Sequence, residues 1–147
     1  VRRLAVKHAA NTDTFAAATA QIDADGIGHA YPSALRRRRP KVSAVPIRSA
    51  VQASDPKAFF NARAEMWCHL ADLLRKTGDD QLDFSQLDDE TAAQLLTVRR
   101  APPVKGRVLI ESKDDIRKRT GRSPDYGDAV VYAFYDAPKP RIRVLGG

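Results

Sequence analysis

Residues 110–129 read IESKDDIRKRTGRSPDYGDA, a stretch in which a strand runs into two closely spaced helix starts. Apolar residues over 107–111 predict the strand, and a basic helical turn follows over 113–119. The Ser-Pro-Asp triplet at 123–125 predicts another helix to about Tyr135. A capping serine, a proline at the first position and an early acid all favour helix initiation. This part of the chain indicates a packed mixture of strands and helices.

The rest of the chain supplies partners for these elements. They are predicted at 19–23 (strand), 32–38 (helix), 42–47 (strand), 56–76 (helix) and 88–98 (helix). The longest helix has the strongest apolar periodicity, with Ser54 or Asp55 as its cap and Gly78 as its stop. Strands that alternate with helices indicate the α/β class.

The composition sets further limits. The chain has 147 residues, of which 43% are hydrophobic and 29% charged, so one packed globular domain is expected. No apolar run approaches the roughly 20 residues that span a bilayer, so no membrane partner is expected. A single cysteine, Cys68, excludes a disulfide within this chain and fits a reducing compartment.

Positive charge is both abundant and clustered. The net charge is +7, and a polyanion is the favoured class of partner, because neutralised phosphates release condensed counterions. The candidate nucleic-acid contacts are Arg36, Arg37, Arg38, Arg117, Lys118 and Arg119.

Three aspartates stand out as candidate metal ligands. Asp23 ends a predicted strand beside a glycine turn, where a rigid backbone opens onto an edge. Asp125 and Asp128 lie three residues apart on the last helix and share a face. Carboxylates that converge from a strand end and a helix suit hard cations such as Mg²⁺. Asp25 competes with Asp23, but it is also explained as a turn residue.

Three ordered motifs give the chain a resemblance to a known family. Residues 110–129 resemble the C-terminal signature of tailed-phage terminase large subunits, with its "ESK" turn, basic helix and "SPD-x-A-D-A" segment. Residues 23–28, DADGIG, look like the "D-x-x-G-x-G" strand end of that family. Residues 60–67, FNARAEMW, are similar to its "F-x-N-x-R-A-E-M-W" helix.

The resemblance implies an RNase H-like nuclease domain that cuts double-stranded DNA during genome packaging. Such domains hold two Mg²⁺ or Mn²⁺ ions with three acids. The second acid corresponds to Asp23 and the third to Asp128, both expected to be catalytic, while Asp125 is expected to cap the helix or support the metal. A terminase small subunit and a portal would be partners of the full-length protein, in the bacterial host cytoplasm.

The motifs also suggest roles for four further residues. Lys113 matches the lysine of the "ESK" turn and could face the DNA backbone. Asn61, Arg63 and Glu65 are expected to be structural, in a polar network that orients the long helix.

The chain departs from the family pattern at its start. The first catalytic acid of the family lies on an opening strand, whereas the residues before Asp23 contain one acid, Asp13, in a different context. We therefore expect an incomplete RNase H-like fold without its N-terminal strands. The predicted organisation is a weakly structured segment 1–18, a partial nuclease domain 19–137 and a basic tail 138–147.

The departures leave three interpretations. The chain is a fragment or a truncated prophage remnant of a metal-dependent endonuclease, and no phosphate-loop pattern of an ATPase motor occurs in it. The alternative is a basic DNA-binding or structural remnant that keeps the fold and has lost the chemistry. A third, weaker interpretation is another RNase H-like enzyme such as a resolvase, against which the long helix argues.

Overall fold

The chain forms a mixed α/β fold, as its sequence predicts. The computed structural model describes residues 2–3, 18–25, 31–38, 42–78 and 81–135. In chain order the elements are β1 (Arg2–Arg3), β2 (Ala18–Asp23), α1 (Tyr31–Arg38), β3 (Val42–Ile47), α2 (Ala62–Leu74), β4 (Leu82–Asp83), α3 (Asp89–Thr97), β5 (Arg100–Val104), β6 (Arg107–Ile110), α4 (Lys113–Thr120) and α5 (Asp125–Ala133).

Strands β2 and β3 lie side by side and parallel, with helix α1 as the crossover between them. Their register pairs Asp23 with Ile47, and the Ala24 N–H donates to the Ile47 carbonyl at 2.8 Å. Because parallel strands end at the same edge of a sheet, the loops that follow β2 and β3 emerge together. All three elements lie within one residue of their predicted ranges.

Helix α2 begins later than predicted. The expected start at residue 56, with Ser54 or Asp55 as the cap, is wrong, because the helix begins at Ala62. Its cap is Asn61, whose Oδ1 accepts a backbone N–H of the first turn at 2.9 Å. The helix therefore begins six residues late, which is about 1.7 turns at about 3.6 residues per turn.

Contacts with β6 explain the late start. Asp55 folds the preceding segment into a turn, because its Oδ1 accepts the N–H groups of Lys57 and Ala58 at 3.1 and 3.2 Å. The Phe60 N–H donates to the Val108 carbonyl, and the Val108 N–H donates to the Ala58 carbonyl. Backbone groups bound to β6 are not free for helical hydrogen bonds.

Helix α5 also begins in a different way from the prediction. Ser123 is not its cap: Pro124 takes the cap position without a side-chain hydrogen bond, and Asp125 is the first helical residue. The Ser123 hydroxyl donates to Asp125 Oδ1 at 2.7 Å. The serine therefore holds the Asp125 carboxylate and leaves the backbone N–H groups of the helix to other partners.

Helices α3 and α4 lie within one residue of their predicted ranges, and each is capped by the side chain that precedes it. Asp88 Oδ1 accepts the Thr91 N–H at 2.9 Å, and Ser112 Oγ accepts the Asp115 N–H at 3.1 Å. Gly121, with φ 79°, ends α4 in the left-handed conformation that favours glycine. The Ser112 cap fixes the position of Lys113, the first residue of α4.

The core lies where α2 and α5 pack against each other and against β3 and β6. Its buried members are Ile47, Ala62, Ala64, Met66, Trp67, Leu70, Ile110, Val130, Val131, Tyr132 and Tyr135. This apolar contact fixes the two helices whose polar residues form the site described below.

The predicted segments at the two ends fall mostly outside the described residues. Of segment 1–18, the structure describes Arg2–Arg3, which pair in parallel with β4, and Ala18 at the start of β2. Asp13 and the tail 138–147 lie outside the described residues, so the domain boundaries stay predictions. In the parts that are described, no helix is long and apolar enough to cross a membrane.

Strand β6 lies where it was predicted, but strand β5 and the hairpin that it forms with β6 were not predicted. Pro102 and Pro103 disfavour a strand, since proline cannot donate to a neighbouring strand. The strands nevertheless pair antiparallel, with an irregular register between Ala101 and Val104. The turn is made by Lys105 and Gly106, both at positive φ (51° and 76°).

We predict that Lys105→Gly stabilises the protein by about 1 kcal/mol, because a side chain at positive φ is strained and glycine removes that strain. Urea denaturation would measure the gain. Lys105→Ala removes the same charge but keeps a Cβ at positive φ, so it is expected to give no gain. Equal stabilisation by both variants would show that charge repulsion, and not backbone strain, is responsible.

Candidate metal centre

Asp128 is a buried carboxylate held by two hydrogen-bond donors and one ammonium group. It lies on α5 and is 2% exposed. Its Oδ1 accepts the indole N–H of Trp67 at 2.9 Å and faces Arg63 Nη2 at 3.4 Å, while its Oδ2 lies 3.0 Å from Lys113 Nζ. A charge removed from water is costly unless it is paired and hydrogen-bonded, and these contacts meet that requirement.

The ammonium group of Lys113 lies among three aspartates. Besides Asp128, it is 3.6 Å from Asp23 Oδ2 and 3.7 Å from Asp125 Oδ1. The three carboxylates that the sequence singles out are thus brought to one point, from the end of β2 and the first turn of α5. Lys113, expected to face the DNA backbone, instead points into this aspartate cluster.

The surroundings keep the Lys113 side chain charged. Burial by itself lowers the pKa of the lysine, but the combined interactions with Asp128, Tyr132 and Asp23, of which Asp128 contributes most, raise it above its usual value. The ammonium group therefore remains positive and supplies part of the charge that the three aspartates require.

Tyr132 supports Asp23 from α5. Its hydroxyl donates to Asp23 Oδ2 at 3.4 Å. Burial raises the pKa of Tyr132 to about 12, so the phenol stays protonated and remains a donor at neutral pH. Tyr132 follows Asp128 by four residues and therefore lies on the same face of α5.

Asp25 has a structural role, in contrast to Asp23. Its Oδ2 accepts the N–H and the hydroxyl of Ser49 at 2.8 and 2.7 Å, and the N–H of Ala50 at 3.2 Å. Its own N–H donates to Asp23 Oδ1 at 2.9 Å. Asp25 thus joins the two loops at the end of β2 and β3 and leaves Asp23 Oδ2 directed at Lys113.

Two clefts meet at the aspartate cluster. One, of about 380 Å³, is lined by residues that include Asp23, Lys113, Asp125, Asp128 and Tyr132. The other, of about 510 Å³, extends towards the β5–β6 hairpin, and its lining also includes Asp23 and Lys113. These two side chains line both clefts, so the cluster is open to a ligand on each side.

The donor set fits a hard divalent cation in place of the ammonium group. Oxygen ligands bind Mg²⁺ or Ca²⁺ at about 2.0–2.6 Å, whereas the three carboxylates stand 3.0–3.7 Å from Lys113 Nζ. Consistent with that wider spacing, no three His, Cys, Asp or Glu side chains among the described residues already form a metal-binding group. Asp128 Oδ2 is buried without a hydrogen-bond partner and has the ammonium as its ion-pair partner. A cation would therefore need Lys113 to move aside and the carboxylates to close in.

The predicted DNA contacts on α4 are arranged in different ways. Arg117 follows Lys113 by four residues on the same face, and its exposed side chain pairs with Asp114 at 3.3 Å. Lys118 is exposed. Arg119 pairs with Glu111 and donates to the Thr97 carbonyl at 2.9 Å, so it ties α4 to the end of α3.

The remaining arginine candidates lie on α1. Arg37 and Arg38 are exposed, and the side chain of Arg36 lies outside the described part of the structure.

The residues predicted to orient α2 make direct contacts. Asn61 caps the helix, and Glu65 accepts the backbone N–H groups of Ser54 and Asp55 at 2.7 and 3.1 Å. Arg63 reaches further, because it contacts Asp128 and donates to the Glu111 carbonyl at 2.7 Å.

Two contact residues, Trp67 and Tyr132, were not predicted. Each lies four residues from another member of the site, on the same helix face: Trp67 follows Arg63 and Tyr132 follows Asp128. That spacing was a usable signal, but it is equally typical of residues that only pack in a core.

We predict that Asp25→Ala lowers the free energy of unfolding by about 2 kcal/mol, because three hydrogen bonds to a charged acceptor are lost and the Ser49 groups are left unpaired. Chemical denaturation would measure the change. Asp72→Ala serves as a control, because it removes an exposed aspartate of α2 that pairs with Arg75 at the surface. Its free energy of unfolding is expected to stay close to that of the wild type. A small effect at Asp25 would contradict its role in joining the two loops.

Comparison with known proteins gives matches at the level of structure. No protein-family model matches the chain, and no curated protein sequence matches it. The nuclease domain of the large terminase subunit gp2 of bacterial virus Sf6 matches with a TM-score of 0.61 and 20% sequence identity, over 77% of this chain. A lysine-to-alanine variant of that domain matches with a TM-score of 0.61 when solved with manganese, and of 0.62 with manganese and β-thujaplicinol. The match spans 63% of the length of the Sf6 domain. The chain thus has the fold of the nuclease domain of a phage large terminase subunit.

Proposed function

We propose that this chain is a metal-dependent DNA endonuclease domain of a viral DNA-packaging terminase large subunit. The observation that carries the proposal is the convergence of Asp23, Asp125 and Asp128 on a single cationic group, within 3.7 Å of its nitrogen. Three carboxylates at the junction of two open clefts form an oxygen-rich site for a divalent cation beside a surface that a large substrate can reach.

The proposed cofactor is Mg²⁺ or Mn²⁺. When bound between carboxylates, such ions activate water and stabilise the leaving oxygen of a phosphodiester. Asp23 and Asp128 would hold the ion, since the end of β2 fixes Asp23 and the buried face of the first turn of α5 fixes Asp128. Asp125 is 72% exposed and would bind at the rim or hold nearby groups in place. The manganese and calcium structures of the Sf6 domain support a divalent cation as the cofactor.

The RNase H-like assignment forms part of this proposal. It is supported by the likeness to the Sf6 domain and by the parallel unit β2–α1–β3, which places an acid at a strand end. The absence of opening strands, the remnant status and a second metal ion stay predictions that depend on it.

Double-stranded DNA is the proposed substrate. Arg117 lies one helical turn from Lys113 on the same face of α4, and its surface pair with Asp114 contributes little stability, so a phosphate can replace it. Lys118, Arg37 and Arg38 are exposed and add positive charge. Arg119 is expected to contribute less, because Glu111 already binds it. The full-length protein would act in the bacterial host cytoplasm with a small subunit and a portal.

We predict that Asp128→Asn and Asp23→Asn each lower Mn²⁺-dependent cleavage of plasmid DNA by at least about 100-fold, since each removes a charged ligand of the metal. Conversion of supercoiled to nicked and linear plasmid would measure this. Asp72→Asn makes the same chemical change on the surface of α2 and is expected to retain full activity. Nicking by Asp128→Asn at the wild-type rate would remove this residue from the mechanism.

Plasmid cleavage, DNA binding and thermal stability together distinguish a nuclease from a DNA-binding remnant. A remnant would bind DNA in a salt-dependent way, would leave plasmid intact with Mg²⁺ or Mn²⁺, and would gain no thermal stability from either ion.

We predict that Lys113→Ala makes the stability of the protein depend more strongly on divalent cations. Without the ammonium group the three carboxylates repel one another, so the melting temperature of the metal-free protein should fall. Mn²⁺ should then raise it by more than in the wild type, because the ion no longer displaces a bound lysine. Differential scanning fluorimetry over a Mn²⁺ series would measure both effects. An unchanged response to Mn²⁺ would contradict the proposed position of the cation.

A further inference from the structure

We infer that Trp67 and Arg63 are positioning residues that fix one oxygen of Asp128 so that its other oxygen faces the metal site. The inference deepens the proposed function and rests on it for the identity of the ligand. The contacts that carry it belong to α2, a helix that supplies none of the three aspartates.

The two oxygens of Asp128 have separate partners. Oδ1 accepts the Trp67 indole N–H at 2.9 Å and faces Arg63 Nη2 at 3.4 Å. Oδ2 has no hydrogen-bond partner and faces Lys113 Nζ at 3.0 Å. Two donors from α2 thus occupy the oxygen on the core side, and the other oxygen is left for a cation.

The donors themselves are held in place. Arg63 Nη1 donates to the Glu111 carbonyl at 2.7 Å, which anchors the guanidinium at the end of β6. The guanidinium carbon lies 5.8 Å from the centre of the Trp67 ring, close enough for a cation–π contact. Both side chains are buried, at 7% and 8% exposure, so neither is free to leave Asp128.

Gly127 allows the indole to approach α5. A Cβ atom at this position would lie 3.3 Å from Trp67 Cη2, closer than ordinary van der Waals contact, and 3.4 Å from Gln94 Cβ, at the limit of ordinary contact. Glycine inside a helix costs about 1 kcal/mol relative to alanine. The closeness of the ring gives that cost a reason, because the indole N–H must reach the carboxylate of the next residue, Asp128.

A purely structural role for Trp67 would require only its ring. The ring packs in the core with Leu70 and Val131, which any large aromatic side chain could do. The N–H is a separate feature, since it supplies a directed donor to a charged acceptor. Trp67→Phe removes that donor and keeps most of the packing, so it tests the positioning role directly.

The sequence contains one tryptophan, so the protein gives a single indole N–H signal in a ¹H–¹⁵N spectrum. In the metal-free protein, Asp128→Asn weakens the acceptor, and we expect the indole proton to shift upfield. Titration of the wild type with Mg²⁺ is expected to move the same signal in a saturable way. An indole signal that is the same in the wild type and Asp128→Asn would overturn the inference.

Calorimetry with MgCl₂ measures the effect on binding. We expect Trp67→Phe to weaken Mg²⁺ binding about tenfold, a typical effect of losing one hydrogen bond to a charged group. Arg63→Lys should also weaken it, because lysine keeps the charge but cannot contact Asp128 and Glu111 with one rigid fork. Tyr135→Phe is the matched control: it removes a hydroxyl from a buried aromatic residue that bonds Ser54 and Glu65, and it should bind Mg²⁺ like the wild type.

The outcomes separate the inference from the proposed function. Wild-type affinity in Trp67→Phe overturns the positioning role and leaves the metal site intact. Equal weakening in Trp67→Phe and Tyr135→Phe also overturns it, because the effect then comes from general loosening of the core. If the wild type does not bind Mg²⁺, the proposed function fails, and the indole shift between metal-free wild type and Asp128→Asn still decides whether Trp67 holds this carboxylate.

Discussion

The burial of one negative charge organises this molecule. Asp128 lies in the core, where a carboxylate is stable only if donors surround it. Two hydrogen-bond donors come from α2, Arg63 and Trp67, and the start of α4 adds the ammonium group of Lys113. Three helices are therefore held in a fixed arrangement by the demands of one side chain. The apolar core packs α2 against α5, and the carboxylate adds directed polar contacts that tie both helices to α4.

Elements with a strong local cause were predicted well from the sequence. Asp88 and Ser112 each accept a backbone N–H group three residues later in the chain. The residues that start these two helices are therefore neighbours in sequence, and a short stretch of sequence is enough to predict the helix. The start of α2 was placed wrongly because the local signal at Asp55 was overruled by hydrogen bonds to Val108, about fifty residues away in sequence. Strand β6 was predicted, but β5 was missed because its two prolines disfavour a strand and because the turn between the strands places a lysine at positive φ.

The site was predictable in its residue types but not in its geometry. A strand end identified Asp23, helical spacing paired Asp125 with Asp128, and the family resemblance assigned their roles. The inward direction of Lys113 was not predictable, because it depends on where β2, α4 and α5 meet. The contact made by Trp67 was not predicted for the same reason: its hydrogen-bond partner lies on another helix. A hydrogen bond between side chains of two different elements depends on tertiary packing. The spacing of residues within one element cannot predict it.

The side chains that the two clefts share have a mechanical consequence. Lys113 and Asp23 line both clefts, so neither side chain can shift without changing the walls of both. A group that draws the Lys113 ammonium away from the aspartates in one cleft therefore also alters the shape of the other. The two clefts cannot respond to a ligand independently.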